Sequence, residues 1–245
     1  NNPEKPTFEN TILAMEKSGE LLQRVMLVFS SLDETENNEQ MQAISEKAYP
    51  MVSAASDEVS MNPKLFERVK YLYDRREKLG LTGPEKRALE LSYKSFTRNG
   101  ALLSNAQKEE LKAVNNRLTD LYLKFNKNLL ASTNSFEIVV DNEAALAGLP
   151  AGVVATAATE AANRGKAGKW VFTLHAPSRL PVLKDADNRQ LRQQMYEGYM
   201  NLASTGDYDN RPVIGDIVKT RTKKARLLGF KDYASYICLL YTSDA

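Results

Sequence analysis

His175 and Cys238 are the only histidine and the only cysteine in 245 residues. The side chains best suited to nucleophilic, acid–base or transition-metal chemistry near neutral pH are therefore scarce. His175 could give or take a proton, but no serine, cysteine or paired carboxylate stands at a diagnostic spacing from it. It reads as a polar residue at the end of a strand. Cys238 lies in an apolar run without a histidine partner and reads as a bystander. A catalytic zinc helix needs His-Glu-x-x-His, because histidines one turn apart share a face and the glutamate handles the proton of the bound water. The chain contains no such segment. Catalytic, metal-binding and cofactor-binding residues are accordingly all assigned as none, and this chain by itself is expected to carry no cofactor and no activity.

Other groupings have plainer readings. Asp207-Tyr208-Asp209-Asn210 resembles the start of a calcium loop, but Arg211, Pro212 and Val218 stand where oxygen ligand, glycine and glutamate are needed. A turn between helices fits better, with Asp and Asn side chains bonded to nearby backbone. Lys219, Arg221, Lys223, Lys224 and Arg226 form the sharpest basic run. They wind around more than one helical face and read first as a solvated surface, with a phosphate or peptide-carboxylate contact as the alternative. Tyr71, Tyr73 and Tyr93 read as residues at the rim of a core. The glycines match no nucleotide loop and serve turns. A net charge of +2 gives no field favouring nucleic acid or an anionic membrane, and no apolar run approaches a membrane span. One cysteine permits no internal disulfide. That fits the cytoplasm first, with the periplasm as the alternative, so localisation stays open.

Amphipathic helices would have to carry any site. Residues 9–132 show one after another. Glu9 to Phe29 sets Ile12, Leu22, Val25, Met26 and Phe29 on one side. Met41, Ile44, Ala48, Met51, Val52, Ala55 and Val59 repeat at a period near 3.6, with Pro50 expected to bend or split their helix. Asn62-Pro63 marks a capped helix start, and Thr82-Gly83-Pro84-Glu85 and Ser104-Asn105-Ala106-Gln107 are capping boxes. The second box opens the longest helix, whose stripe of Leu111, Val114, Leu118, Leu121, Phe125 and Leu129 is expected to pack within its own domain. Phe136–Val140 and Lys169–Leu174 read as paired strands of a small sheet, joined through an alanine-rich helical stretch that ends near Asn163-Arg164-Gly165. Helices return at Asp187, turn at 206–212, and resume through Leu228 to a Gly229 stop. The expected organisation is a helical region over 1–134, a small α/β segment over 135–186, a returning helical region over 187–237 and an atypical tail over 238–245. The fold class is mostly α.

The order of certain segments is more specific than this pattern. Pro6-Thr7-Phe8-Glu9-Asn10-Thr11-Ile12 comes first, then Asn62-Pro63-Lys64-Leu65-Phe66-Glu67-Arg68-Val69 and Leu146-Ala147-Gly148-Leu149-Pro150. Lys169-Trp170-Val171-Phe172-Thr173-Leu174, Asn188-Arg189-x-Leu191-Arg192 and Leu227-Leu228-Gly229-Phe230-Lys231-Asp232-Tyr233-Ala234 follow. Together they resemble the N-terminal region of a bacterial-like peptidyl-dipeptidase in the thimet-oligopeptidase-like zinc metallopeptidase family, M3, over nearly all of residues 3–237.

That resemblance implies a multi-helical, two-sided fold around a deep channel. An intact member would hydrolyse short peptides, the peptidyl-dipeptidase branch releasing dipeptides from a free C-terminus. One Zn would be held by paired histidines and a further glutamate, with the motif glutamate as base. Those residues are expected beyond Ala245, and none transfers to His175 or Glu197. The expected partners are short peptides and a missing C-terminal catalytic region, and the expected state is a monomer. A segment ahead of Pro6 is expected as well. The alternative is a non-enzymatic helical interaction domain on the same scaffold.

Overall fold

The structure is a computed structural model and describes residues 2–242. Its chain enters as a π-helical turn, Glu9–Leu13, that continues into α1 (Ala14–Ser18). Gly19 separates this from α2 (Glu20–Thr35), so the single helix expected from Glu9 to Phe29 is interrupted. α3 (Glu39–Ser60) runs unbroken through Pro50, which does not split it. Asp33 ties α2 to α3, accepting from the Ser45 hydroxyl at 2.7 Å and the Tyr49 hydroxyl at 3.2 Å.

Local side chains set the next helix starts. α4 (Pro63–Tyr73) is capped by Asn62, whose Oδ1 accepts from the Leu65 N–H at 3.0 Å, with Pro63 at a position where no donor is lost. At α5 (Gly83–Arg98) the Thr82 N–H donates to Glu85 at 2.8 Å, completing the capping box. Ser104 and Gln107 exchange bonds in the same way at α6 (Asn105–Ser135).

β1 (Ile138–Val140) follows, then a short turn of helix at Glu143–Leu146 and α7 (Ala151–Asn163). β2 (Trp170–Phe172) pairs antiparallel with β1, Ile138 opposite Phe172 and Val140 opposite Trp170. α8 (Ala176–Asp185) comes next and was not expected from the sequence, because Pro177 and Pro181 mask it. α9 (Arg189–Met200), α10 (Arg211–Leu227) and α11 (Tyr233–Thr242) complete the order. The architecture is mostly α, with one two-stranded sheet among the described residues.

The chain divides into two compact units. One comprises the described residues up to Leu123 and those from Ile217 onward. Its core joins Ile12, Phe66, Val69, Leu72, Leu89 and Phe96. Tyr73 and Tyr93 stack at its edge with ring centroids 3.9 Å apart, and Tyr71 packs on it, as rim residues do. The other unit is Lys124–Asp216. Its core gathers Ile138, Val140, Phe172, Val182, Leu191 and Met195, with α7 packed on β2 and α8 on α9. Gly148 is required there. Its φ is +85°, and a Cβ would stand 2.3 Å from the Asp185 carbonyl oxygen.

The apolar faces of α2 and α3 do not go where their periodicity points. Leu21, Leu22, Val25, Leu27 and Val28 on α2 are exposed, as are Ile44, Met51 and Val59 on α3. The buried residues of α3 are Ser45 and Asp57. α3 therefore buries Ser45 and Asp57 while Ile44, Met51 and Val59 of its apolar repeat stay exposed.

Candidate functional site

Of the residues singled out for possible chemistry, His175 and Asp209 belong to the second unit and Cys238 to the first. His175 is exposed and sits at the N-cap position of α8, its carbonyl accepting from the Ser178 and Arg179 N–H groups at 3.0 and 2.9 Å. Its expected place as a strand-end residue is thus corrected: the strand stops at Phe172, and His175 opens a helix. The N-cap contribution comes from its backbone, not its imidazole. Cys238 is exposed, and residues 243–245 of the expected tail lie outside the described residues. Asp209 accepts from the Arg211 N–H at 2.9 Å and pairs with its guanidinium at 2.8 Å, which holds the carboxyl below its ordinary pKa. The calcium-like segment is a turn.

Catalytic zinc requires three protein ligands converging on one point, with a position left for water. Among the described residues no group of three His, Cys, Asp or Glu side chains converges in that way. The described residues do not fit a zinc centre.

The basic run separates into different environments. Lys223 pairs with Glu110 of α6 at 2.8 Å, and the Arg221 Nε donates to the Tyr122 hydroxyl at 2.8 Å. Lys224 is different. Burial lowers its pKa, and the field of Asp57 partly opposes that shift. The reading of the whole run as solvated surface is corrected at Arg221 and Lys224, because the helical period carries these two inward while Lys223 stays exposed.

Lys224 lines a polar cavity of about 340 Å³ in the first unit, walled by α3, α6, α10 and Tyr233. Asp57, on α3, lines the same cavity with 7% of its surface exposed. Its Oδ1 accepts from the Asn115 side-chain amide at 2.7 Å. Its Oδ2 and the Asn115 Oδ1 are both buried without a hydrogen-bond partner. Burial raises the Asp57 pKa, against the Asn115 bond and the fields of Lys224 and Lys112. Among the described hydrogen bonds none joins Asp57 to Lys224; each acts on the other through its electrostatic field. The side of α3 that reaches this space carries Ser53, Ser56 and Ser60 with Asp57.

This constellation was not found from the sequence. A signal exists, since Ser45, Ser53, Ser56, Asp57 and Ser60 recur at helical spacing. It was hidden by the apolar repeat on the other side of the same helix. Asn115 and Lys224 are far from Asp57 in sequence, and nothing local links them.

Residues 182–238 match the sequence profile of peptidase family M3. The chain is 35% identical to the dipeptidyl carboxypeptidase of Escherichia coli (strain K12), over 96% of its own length and 35% of that protein. It is 32% identical to the Salmonella typhimurium dipeptidyl carboxypeptidase over 96% of its length and 35% of that protein. The oligopeptidase A of Haemophilus influenzae is 32% identical over 93% of the chain and 34% of that protein. The chain therefore spans about 35% of the length of the curated relatives it matches. The relatives cover almost all of it, and a family profile lies on its α8–α11 segment. By this sequence kinship the chain belongs to peptidase family M3.

Proposed function

We propose that this chain is the catalytically incomplete N-terminal part of a larger zinc peptidase that hydrolyses short peptides and releases dipeptides from a free C-terminus. The observation that carries this reading is the asymmetric match: 96% of the chain aligns with only 35% of a dipeptidyl carboxypeptidase. The donor set agrees with it. With one histidine and one cysteine, the 245 residues do not supply a zinc ligand set, so the single Zn and the groups acting with it belong to the remaining polypeptide. What this chain contributes is scaffold and wall for the peptide. The exposed apolar rows of α2 and α3 also favour a further polypeptide partner, since solvated helices seldom carry so many exposed large apolar residues.

The test is direct. Homogeneous chain, peptide with a free C-terminus and added zinc are incubated and followed by mass spectrometry. No dipeptide should appear. Release should begin only when the remaining region of the contiguous gene product is supplied. Chelator-sensitive release that tracks the chain alone through purification would overturn the reading. A verified contiguous gene without His-Glu-x-x-His would favour the interaction-domain alternative instead.

A further inference from the structure

Leu21, Val25, Val28 and Leu32 follow one another along α2 at alternating steps of four and three residues. That spacing sets them on one side of the helix, in the a/d pattern by which one helix packs on another. All four stay open to solvent, with between 43% and 75% of their surfaces exposed. The side of α2 that α3 covers is a different one. Phe29 meets Tyr49 with ring centroids 5.8 Å apart, and Asp33 accepts from the Ser45 and Tyr49 hydroxyls. Phe29 and Asp33 each follow a residue of the open row by one position, which turns them roughly 100° around the helix from it.

The row constrains what covers it. Side chains repeating at steps of three and four interdigitate with the matching ridges of another helix. A lipid surface is disfavoured by charge, because α2 sets Glu20, Asp33 and Glu34 against the single cation Arg24, itself paired with Glu20 at 2.7 Å. A second copy of the chain fits poorly too. The row covers about two heptads, roughly 17 Å, whereas helices that pair by such a seam alone sustain it over roughly three or four heptads. A helix belonging to the same polypeptide faces no such threshold, since the connecting chain sets its effective concentration. The lengths of the relatives leave room for one: 96% of this chain aligns with 35% of the Escherichia coli dipeptidyl carboxypeptidase, and most of that protein is unmatched.

We propose that the Leu21–Val25–Val28–Leu32 face of α2 receives an amphipathic helix from the unmatched region of the same polypeptide. The inference rests on the reading of this chain as part of a larger peptidase, and it names the surface by which that part is joined to the rest.

Cysteine protection tests it on the contiguous gene product and on the 245-residue chain. In a C238A background, L21C, V25C and V28C are each alkylated with N-ethylmaleimide. Q23C, exposed on the opposite side of α2, is the control. In the contiguous product the three row cysteines should react about tenfold or more slowly than in the chain alone, with Q23C reacting alike in both. Benzoylphenylalanine placed at position 32 should cross-link within one polypeptide to a peptide from beyond residue 245. Hydroxyl-radical footprinting needs no substitution, and should show the same protection of Leu21 and Leu32 in the wild-type proteins, so a variant that fails to fold leaves the test intact. Equal reactivity of the row in both proteins overturns the inference, as does a cross-link to a second copy or to residues 1–245. A verified gene with no further region sinks this inference and the peptidase reading together. A longer product that releases dipeptides while its α2 row stays reactive sinks this inference alone.

Discussion

Asp57 and Lys224 are each held against their ordinary charge state by burial. The folded pKa of Asp57 lies above its unfolded value. Its ionised form therefore opposes folding above that window, and the penalty disappears as pH falls below the unfolded pKa. For Lys224 the folded pKa lies below the unfolded one, so its charge opposes folding at neutral pH and the penalty disappears as pH rises past the unfolded pKa. D57N removes the first penalty, and its new amide can donate to the orphaned Asn115 Oδ1. The variant should be more stable than wild type at neutral pH, and the gain should vanish in acid. Urea midpoints across pH measure this. A loss of stability at neutral pH would mean that attraction to Lys224 outweighs burial. Gly148→Ala should act in the opposite direction. A positive φ and a Cβ 2.3 Å from backbone oxygen predict a loss of about 2 kcal/mol or more by chemical denaturation.

Helix starts in this chain are local events, and their variants should be correspondingly modest. Asn62→Ala removes the one side-chain bond to the Leu65 N–H and should cost about 1 kcal/mol, read from the thermal midpoint. The exposed row of α2 gives a contrasting case. Leu21, Val25 and Val28 lie on one face, at i, i+4 and i+7, with 75%, 55% and 63% of their surfaces exposed. The triple change L21Q/V25Q/V28Q should alter stability by less than about 1.5 kcal/mol, because little packing is lost. It should lower binding of a hydrophobic dye and raise solubility. A large loss of stability would mean that this face is packed in the folded chain.

Across the whole chain, the scarcity of histidine and cysteine outweighs every other chemical feature. Zinc titration of the metal-free chain should reveal no near-stoichiometric tight site, since a closed set of three or four ligands is required. A reproducible one-to-one complex on the chain alone would contradict the assignment of zinc to the remaining polypeptide. The kinship with M3 peptidases rests on the chain's near-full alignment, and the length of those relatives leaves most of their sequence unmatched.

Helix order, caps and strand pairing were legible because each is set by contacts within a few residues or by strong periodicity. Asn62-Pro63, Thr82 with Glu85 and Ser104 with Gln107 form the bonds their spacing foretold. Phe136–Val140 and Lys169–Leu174 hold the strands β1 and β2, whose apolar pairs match across the sheet. α8 escaped because Pro177 and Pro181 argue locally against a helix that packing on α9 sustains. The family was legible from ordered segments, which no composition could mimic. Tertiary structure alone decided which side of α3 faces inward. Its apolar repeat points to one face, yet Asp57 is buried and lines a cavity with Ser53, Ser60, Asn115 and Lys224. Periodicity marks which residues share a face, but burial of that face depends on what other helices bring to it. The cavity and its opposed charges exist only because α3, α6 and α10 meet there.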